Sequence, residues 1–460
     1  MSILIQNGTL ILPQGPVQSD LRVEGETIVQ IGPALPVGES QVLDAAGKLV
    51  FPGFIDTHTH FEMNKGTLRE TADNWATGTR AALAGGTTCV LDFAEPERGC
   101  SLQSALDEWH NRAGGNASCH YGFHMTIKDW DPRIRAELPA MTAQGVTSYK
   151  VYLAYANIRI PDAVAFQAIE AVATEGGVVG CHCENGDLID CAVARLKAAG
   201  RLSPASHPLA HTPAMEAEAV TRWLALAEEA GYPVNVVHLS TRRGLEAARA
   251  ARARGQKLYL ESCPQYLTLT EECYQLPGFE GAKYVCAPPL RAQSDVDALW
   301  EALSGDEIDT IGTDHCSFRF NPTKMLGRDD FSAIPGGIPG TEHRPCLMYT
   351  FGVKAGRITL LQMMQALSER PAKLFGMFPQ KGTLAVGSDA DIVIFDPDHT
   401  WRIEAAHQYQ NVDYTPYEAM EMAGRTDTVL LSGQVAVSGG KVIRESLGRY
   451  IRRGGAQFWR

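Results

Sequence analysis

The middle of the chain alternates short apolar runs with amphipathic segments, and this alternation limits the fold more than any other feature of the sequence. Segments with the apolar spacing of a helix, such as Ala214–Ala230 and Thr241–Arg254, lie between most of the runs. Eight runs are typical of β-strands, and they begin at Phe54, Thr87, Ser118, Val146, Gly177, Val234, Leu258 and Ile308. Eight successive strand–helix units predict an α/β protein with a (β/α)8 TIM-like barrel, whose site would lie at the carboxyl ends of the strands.

Both ends of the chain carry short apolar runs separated by turn signals. Ser2–Gly8 predicts a strand followed by a turn, and Leu21–Val29 predicts two strands joined tightly. Matching runs near the other end are Gly382–Leu384, Asp391–Phe395, Val429–Leu431 and Gln434–Val437. We therefore expect a small β-sandwich domain built from both chain ends. The expected boundaries are residues 1–53 and 377–440 for the sandwich, 54–376 for the barrel and 441–460 for a tail.

Composition narrows the possible partners and the compartment. The formal charge of −12 at pH 7 argues against nucleic acid or an anionic membrane as the main partner. The chain has 11 cysteines, an odd number, and most lie inside apolar runs, which is typical of reduced thiols. The sequence has neither the pattern of a secretion signal at its start nor a run of about 18 apolar residues. We expect a cytoplasmic enzyme with no membrane partner.

Two histidines close the first predicted barrel strand. The run from Gly53 ends in His58 and His60, and residues two apart in a strand point to the same face. Such a pair can chelate a metal, although two hydrogen-bonded core histidines would give the same pattern. Later predicted strands also end in polar residues, namely Lys150, His182, His238 and Asp314. Because the strand ends of a barrel converge, these side chains would meet, which predicts a metal site.

Lys150 is the unusual member of this set. A protonated ammonium repels a cation and has no lone pair to offer. If the amine reacted with CO2, the resulting carbamate would present two oxygens, as a carboxylate does, and could bridge two metals. The lysine alone does not establish this bridge.

Segments distributed along the chain carry a likeness to a known family. They are Pro52–His60, Gly85–Thr88, Tyr149–Tyr155, His182–Gly186, Glu261–Leu267, Pro288–Arg291, Gly312–Cys316 and Asn411–Tyr414. On these segments the sequence resembles the cyclic amidohydrolases, and within them the dihydropyrimidinase/D-hydantoinase group, over nearly the whole chain. The run Gly387–Asp391 is common to the wider superfamily and is less specific.

The resemblance implies a site with two divalent metal ions per chain, for which zinc is the expected metal. The more buried ion would be held by His58, His60 and Asp314. The other ion would be held by His182 and His238, and an N6-carboxylated Lys150 would bridge the two ions. A hydroxide shared by the ions would attack the ring amide, and Asp314 would take its proton and return it to the leaving nitrogen. Tyr155 would donate a hydrogen bond to the developing oxyanion.

The same resemblance places further residues at the substrate. The family holds the ring amide through backbone groups at the positions of Ala287 and Gly336, where it has serine and asparagine, and backbone contacts survive such changes. The 5-substituent of the ring would meet Lys65, Tyr152 and Arg159. Two cations in one pocket predict a preference for polar or acidic substituents. Alternatively, both side chains extend into solvent at the barrel rim.

The implied activity is metal-dependent hydrolysis that opens a hydantoin or dihydropyrimidine ring to an N-carbamoyl amino acid. One alternative is allantoinase activity, which Gly336-Gly337-Ile338 mildly favours. The other is a non-catalytic scaffold of the same fold. Such scaffolds are distinguished by the loss of metal ligands, whereas this sequence has kept a ligand residue at every ligand position.

The tail from Gly440 is rich in arginine and contains Phe458 and Trp459 near its end. A frayed terminus is the ordinary expectation for such a segment. In the family that the chain resembles, the tail often reaches a neighbouring subunit. We therefore expect a homotetramer with this tail at an interface.

Overall fold

The computed structural model describes residues 2–460 of the chain, with five strands at the start, eight in a barrel and four near the other end. The first five are β1 (Ser2–Leu12), β2 (Gly15–Glu24), β3 (Thr27–Gly32), β4 (Gln41–Asp44) and β5 (Leu49–Pro52). The barrel strands are β6 (Phe54–Thr59), β7 (Thr87–Ala94), β8 (His120–Thr126), β9 (Ser148–Tyr152), β10 (Val178–His182), β11 (Val234–Val236), β12 (Leu258–Ser262) and β13 (Thr310–Ile311). The last four are β14 (Ile392–Arg402), β15 (Glu421–Leu431), β16 (Gln434–Ser438) and β17 (Lys441–Val442).

The barrel strands pair in parallel and in sequence order from β6 to β13. A bridge between Thr59 and His315 brings the end of this series against its beginning, so the barrel is nearly closed. Every residue in these strands is buried, because helices cover the outside of the barrel and side chains fill its inside. The predicted (β/α)8 barrel is confirmed, and each strand begins within two residues of its predicted start.

Helices separate the barrel strands on the outside. The longer ones are Trp75–Ala84, Leu102–Ala113, Pro132–Ala143, Asp162–Thr174, Gly186–Ala198, Pro213–Ala230, Arg242–Ala253 and Gln293–Ser304. Shorter ones are His207–Ala210, Pro264–Thr268, Arg344–Leu347, Leu360–Met364 and Arg370–Leu374. The two helices predicted by periodicity match to within one residue at each end, and Gly231 stops one of them with a left-handed φ of 76°. Among residues 2–460, no helix is long and apolar enough to cross a membrane.

Two ligand-bearing strands are shorter than predicted. β11 ends at Val236 and β13 at Ile311, whereas the sequence predicted strands that ran past His238 and Asp314. His238 and Asp314 have φ angles of 41° and 53°, a left-handed backbone that cannot continue a strand. These two residues therefore lie in the turns that follow their strands.

Strands from both chain ends form one continuous nine-stranded sheet, in which β14 lies beside β5. The small β domain built from the two ends is thus confirmed, with two local corrections. The turn predicted at Asn7-Gly8 is a bulge inside β1, where the pairing with β2 shifts between Ile5 and Gly8. Gly382–Leu384 forms no strand, but Leu384 is buried in the small core of this domain.

Residues 444–460 cross the amino-terminal face of the barrel. Tyr450 pairs with Tyr121, the second residue of β8. Arg453 is only 3% exposed, and one of its guanidinium nitrogens donates to Ser148 Oγ at 2.8 Å, at the start of β9. The tail therefore packs against the barrel of its own chain and covers the face opposite the strand ends.

Candidate metal centre

The carboxyl ends of the barrel strands bring together the six side chains predicted as metal ligands, as a group of three, a pair of histidines and a lysine between them. In the first group, Nε2 of His58 and Nε2 of His60 lie 3.2 and 3.3 Å from Asp314 Oδ1. These three residues offer ligand atoms within 4.8 Å of one another, so they can hold a metal ion. Burial lowers the pKa of His58 well below its ordinary value, which keeps the imidazole neutral, as a metal ligand must be.

The second group consists of His182 and His238. Nδ1 of His182 faces Nε2 of His238 at 3.0 Å. Because Glu184 Oε2 lies 2.9 Å from Nε2 of His182, this nitrogen carries the proton, and the lone pair on Nδ1 points toward His238. Burial also lowers the pKa of His238 well below its ordinary value. Two imidazole nitrogens that face each other in this way suit a shared cation better than they suit each other.

Lys150 lies between these groups. Its Nζ is 2.7 Å from His58 Nε2 and lies over the rings of Phe93 and Tyr152, at 4.3 and 4.9 Å from their centroids. Burial lowers the pKa of Lys150, which favours the neutral amine that can add to CO2. An ammonium would donate to the His58 lone pair but would leave His182 Nδ1 and His238 Nε2 facing each other, whereas a carbamate with metal ions would satisfy all of these nitrogens. The donor set therefore fits a metal site with a modified lysine.

Three of the predicted site residues have a strained backbone. Tyr155, His238 and Asp314 have positive φ angles of 67°, 41° and 53°. A left-handed conformation at a residue with a side chain costs about 1–3 kcal/mol and is concentrated at functional sites. The surrounding fold therefore holds these side chains in place at a cost in stability.

Tyr152 and Tyr155, two of the residues predicted to contact the ring, lie beside the cluster. The ring centroid of Tyr155 is 5.0 Å from that of His182, and Tyr152 stacks on the same imidazole at 5.7 Å. Burial raises the pKa of Tyr155 well above its ordinary value, so its hydroxyl stays a hydrogen-bond donor. A β-carbon placed on Gly336 would lie 3.6 Å from that of Ala287, so the two loops predicted to hold the ring amide are adjacent.

Lys65 and Arg159 do not form the pair of free cations that the sequence predicted. Lys65 Nζ lies 2.5 Å from Glu62 Oε2 on its own loop. Arg159 Nη1 lies 2.8 Å from Asp187 Oδ1, at the start of the helix that follows β10. Because each charge is partly neutralised by a carboxylate, repulsion between the cations is weaker than we expected. Their contact with substrate stays a prediction.

A cleft of about 360 Å³ opens beside His60 and Phe93. Its lining includes the ion pair between Lys128 and Glu95, whose charged atoms are 3.1 Å apart. Lys65 lies on the same lining and is half exposed. Of the six predicted ligands, only His60 lies on this lining, so the cleft borders one side of the ligand cluster.

Two buried carboxylates orient the ligands, and the sequence had assigned neither of them a role. Glu261 Oε1 lies 2.6 Å from His58 Nδ1, and burial raises the pKa of Glu261 to about 7. Glu184 contacts both His182 and His211, each at 2.9 Å. Such contacts fix the tautomer and orientation of a metal-binding imidazole. Both glutamates end or follow apolar runs, as the ligands do, so the same signal could have identified them.

A nearly closed (β/α)8 barrel with histidines, an aspartate and a buried lysine at its strand ends defines a hydrolase built around a metal site. The chain belongs to the amidohydrolase family, whose model matches residues 49–128 and 187–436. It is similar to the D-hydantoinase of Ralstonia pickettii, with 42% identity over 455 residues, which cover 98% of this chain and 99% of the relative.

Two further comparisons agree. The D-hydantoinase of Geobacillus stearothermophilus is 41% identical over 456 residues, which cover 98% of this chain and 97% of the relative. The crystal structure of dihydropyrimidinase from Brevibacillus agri NCHU1002 superposes with a TM-score of 0.97 at 41% identity, covering 99% of each chain. The resemblance to the dihydropyrimidinase/D-hydantoinase group is confirmed.

Proposed function

We propose that this protein hydrolyses cyclic amides and opens hydantoin or dihydropyrimidine rings to N-carbamoyl amino acids. The observation that carries the proposal is the convergence of the six predicted ligands at one mouth of the barrel. This occurs in a chain that is 42% identical, over nearly its whole length, to a D-hydantoinase. The polar cleft of about 360 Å³ that includes His60 in its lining borders that cluster.

The proposal includes two divalent metal ions, zinc by expectation, and carboxylation of Lys150. When bound, the ions would lower the pKa of a shared water and polarise the ring carbonyl. The first ion would be held by His58, His60 and Asp314, and the second by His182 and His238, with Lys150 between them. Support comes from neutral imidazoles whose lone pairs face inward and from a buried lysine whose pKa burial lowers.

Asp314 is placed to move the proton. Burial alone would raise its pKa, but His58 and His60 outweigh burial, so the pKa lies below its ordinary value and the carboxylate is ionised at neutral pH. It can therefore take a proton from the attacking water and give it to the ring nitrogen as the carbon–nitrogen bond breaks. The Tyr155 hydroxyl can donate to the carbonyl oxygen as charge develops there, a contribution of about 3–4 kcal/mol.

Metal analysis combined with a substrate panel tests the activity. The panel is dihydrouracil, a series of 5-substituted hydantoins, and allantoin. We expect two divalent ions per chain and turnover of a hydantoin or dihydrouracil. Turnover of allantoin alone would replace the proposal with allantoinase activity, and no turnover with metal fully bound would favour a scaffold.

Substitution of Lys150 tests the bridge separately. We expect Lys150→Ala to lose most of its activity and metal, with partial recovery when a short carboxylic acid is added. His60→Ala is the matched control, because a carboxylic acid cannot replace an imidazole. Full activity in Lys150→Ala, or equal recovery in both variants, would rule out the carboxylated bridge.

We also propose that the protein is a cytoplasmic homotetramer with the tail near an interface. Support for the tail comes from Phe458, which is apolar and 39% exposed although the segment around it is packed on the barrel. Light scattering should give the mass of four chains, and Phe458→Ser should lower it. An unchanged mass in the variant would mean that this part of the tail does not lie at the interface.

A further inference from the structure

Lys324 is a buried lysine that neither the sequence nor the ligand cluster explains, and burial lowers the pKa of its amine to about 7. Its side chain is fully buried, and its Nζ donates to three backbone carbonyls: Val285 O at 2.6 Å, Gly337 O at 2.7 Å and Pro335 O at 3.0 Å. Three ammonium protons meet three acceptors, so its hydrogen bonds are complete without a carboxylate. Burial of a charge is costly, and a lysine kept in such a place needs a reason.

The three carbonyls belong to the two loops that flank the ring-amide positions. Val285 precedes Ala287 by two residues, and Pro335 and Gly337 flank Gly336. The loops also contact each other directly, since Gly337 N donates to Val285 O at 3.0 Å. The second loop is joined to the turn that carries Asp314, because Cys316 N donates to Ile338 O at 3.1 Å.

We propose that Lys324 is a positioning residue that fixes these two loops relative to each other and to Asp314, and so sets the grip on the ring amide. This inference rests on the proposed function, in which Ala287 and Gly336 hold the ring through backbone groups. Gly336 is itself a glycine, which gives the backbone of this loop extra freedom. The hydrogen bonds from Lys324 to the carbonyls on either side of Gly336 restrict that freedom. Its bond to Pro335 O also polarises the Pro335–Gly336 peptide, which strengthens the Gly336 N–H as a donor.

The test compares Lys324→Met and Lys324→Gln with the wild type in steady-state kinetics. The methionine leaves the Pro335 and Gly337 carbonyls unpaired and leaves the Val285 carbonyl with only the Gly337 N–H, whereas the glutamine keeps two donors. We expect KM to rise about ten- to thirtyfold in the methionine variant and less in the glutamine variant, since a charged hydrogen bond is lost. We expect kcat to change less than about threefold and the metal content to stay the same. Similar losses in kcat and metal, with KM unmoved, would overturn the proposal.

Lys381→Met is the matched control. Lys381 is also a buried lysine, but it pairs with Asp391 Oδ2 at 2.5 Å, outside the ligand cluster. Its loss should lower stability and leave KM unchanged. An equal rise in KM in both variants would make the effect of Lys324 one of general stability.

Amide hydrogen exchange separates this inference from the proposed function. The amide hydrogens of residues 285–287 and of residues 336 and 337 should exchange faster in Lys324→Met than in the wild type and in Lys381→Met. This readout needs no turnover, so it holds even if no cyclic amide is a substrate. Unchanged exchange in both segments would show that Lys324 does not fix the loops.

Discussion

At the carboxyl-terminal face of the barrel, buried imidazoles and a buried lysine lie against one another, as in the 2.7 Å approach of Lys150 Nζ to His58. At the amino-terminal face, buried charges meet opposite charges or carbonyls. Asp309 is fully buried and receives Arg460 at 2.8 Å and Arg252 at 3.1 Å. Imidazoles at the first face therefore meet each other or the lysine, whereas these charges at the second face have carboxylate or carbonyl partners within the chain.

The difference indicates which face of the barrel holds its side chains for chemistry at a cost in stability. Like groups held together and a left-handed backbone both oppose folding, and such features persist where function requires them. Matched pairs on the opposite face oppose unfolding, because removal of one partner leaves the other buried and unpaired. Substitutions at the first face should therefore change activity more than stability, and those at the second face the reverse.

The two faces are nevertheless connected through the barrel interior. Arg453 in the tail donates to Ser148 Oγ, which lies 2.6 Å from His124 Nδ1. His124 Nε2 lies 3.0 Å from the backbone oxygen of Thr57, the residue before His58, and a carbonyl can only accept. The protonated Nε2 thus donates to the strand that carries the first ligand.

The largest expected effect is at Asp314. We expect Asp314→Asn to lower kcat/KM by about 10²–10⁴-fold, because the amide can remain near the metal but cannot take a proton. In protein stripped of metal, the free energy of unfolding should fall only slightly, because Asn loses the charge that pairs with His58 and His60 but tolerates the left-handed backbone of this position. Steady-state kinetics and denaturant unfolding measure the two quantities. A loss of activity below about tenfold would remove the proton-transfer role from this residue.

The second prediction concerns the opposite face. We expect Arg453→Met to lower the free energy of unfolding by about 2–4 kcal/mol, since Ser148 and the Phe123 carbonyl lose a charged donor. Metal content and kcat should change little. Arg452→Met is the control, because that neighbouring arginine is exposed. If the two variants were equally stable, or if Arg453→Met lost activity but not stability, the division between the faces would be wrong.

Much of the first face could be predicted from the sequence, and little of the second. The ligands follow apolar runs whose spacing is local, so Lys150 and His182 could be placed on strand ends without knowledge of contacts. Arg453 gives no local signal: it lies in an arginine-rich tail, and its partners are about 300 residues earlier in the chain. For the same reason the carboxylate that pairs with Arg159 was not foreseen.

The third prediction concerns how the stability that Asp391 contributes depends on pH. Burial would raise the pKa of Asp391, but Lys381 and His120 outweigh burial and hold it well below its ordinary value. The stability that this carboxylate contributes is therefore present above about pH 4 and is lost as pH falls further. Wild-type protein should lose about 1–2 kcal/mol more than Lys381→Met between pH 5 and pH 3 in urea unfolding.

The matched control for this titration is Lys48→Met. Lys48 pairs with Asp427 at 2.8 Å, but both side chains are about a quarter exposed, so solvent screens the pair. Its acid dependence should follow that of the wild type. A slope in Lys381→Met as steep as that of the wild type would mean that Asp391 does not carry the acid sensitivity.

The smallest expected effect is in substrate choice at the rim of the first face. Arg159 is close to Tyr152 in the chain and could meet the 5-substituent, but its pair with Asp187 reduces its attraction for an anion. We expect kcat/KM for hydantoin-5-acetate to exceed that for 5-phenylhydantoin by less than about tenfold, the range of a screened ion pair. Arg159→Phe should reverse this ratio, and Asp187→Asn should increase it, because the guanidinium then keeps only its longer pair with Asp190, at 3.6 Å, and attracts an anion more strongly. Both variants can be compared with the wild type on the same two substrates, and thermal unfolding should show that neither has lost its fold. If the aromatic substrate is preferred by the wild type, or if neither substitution moves the ratio, the arginine extends into solvent and the first face is selective only at its ligands.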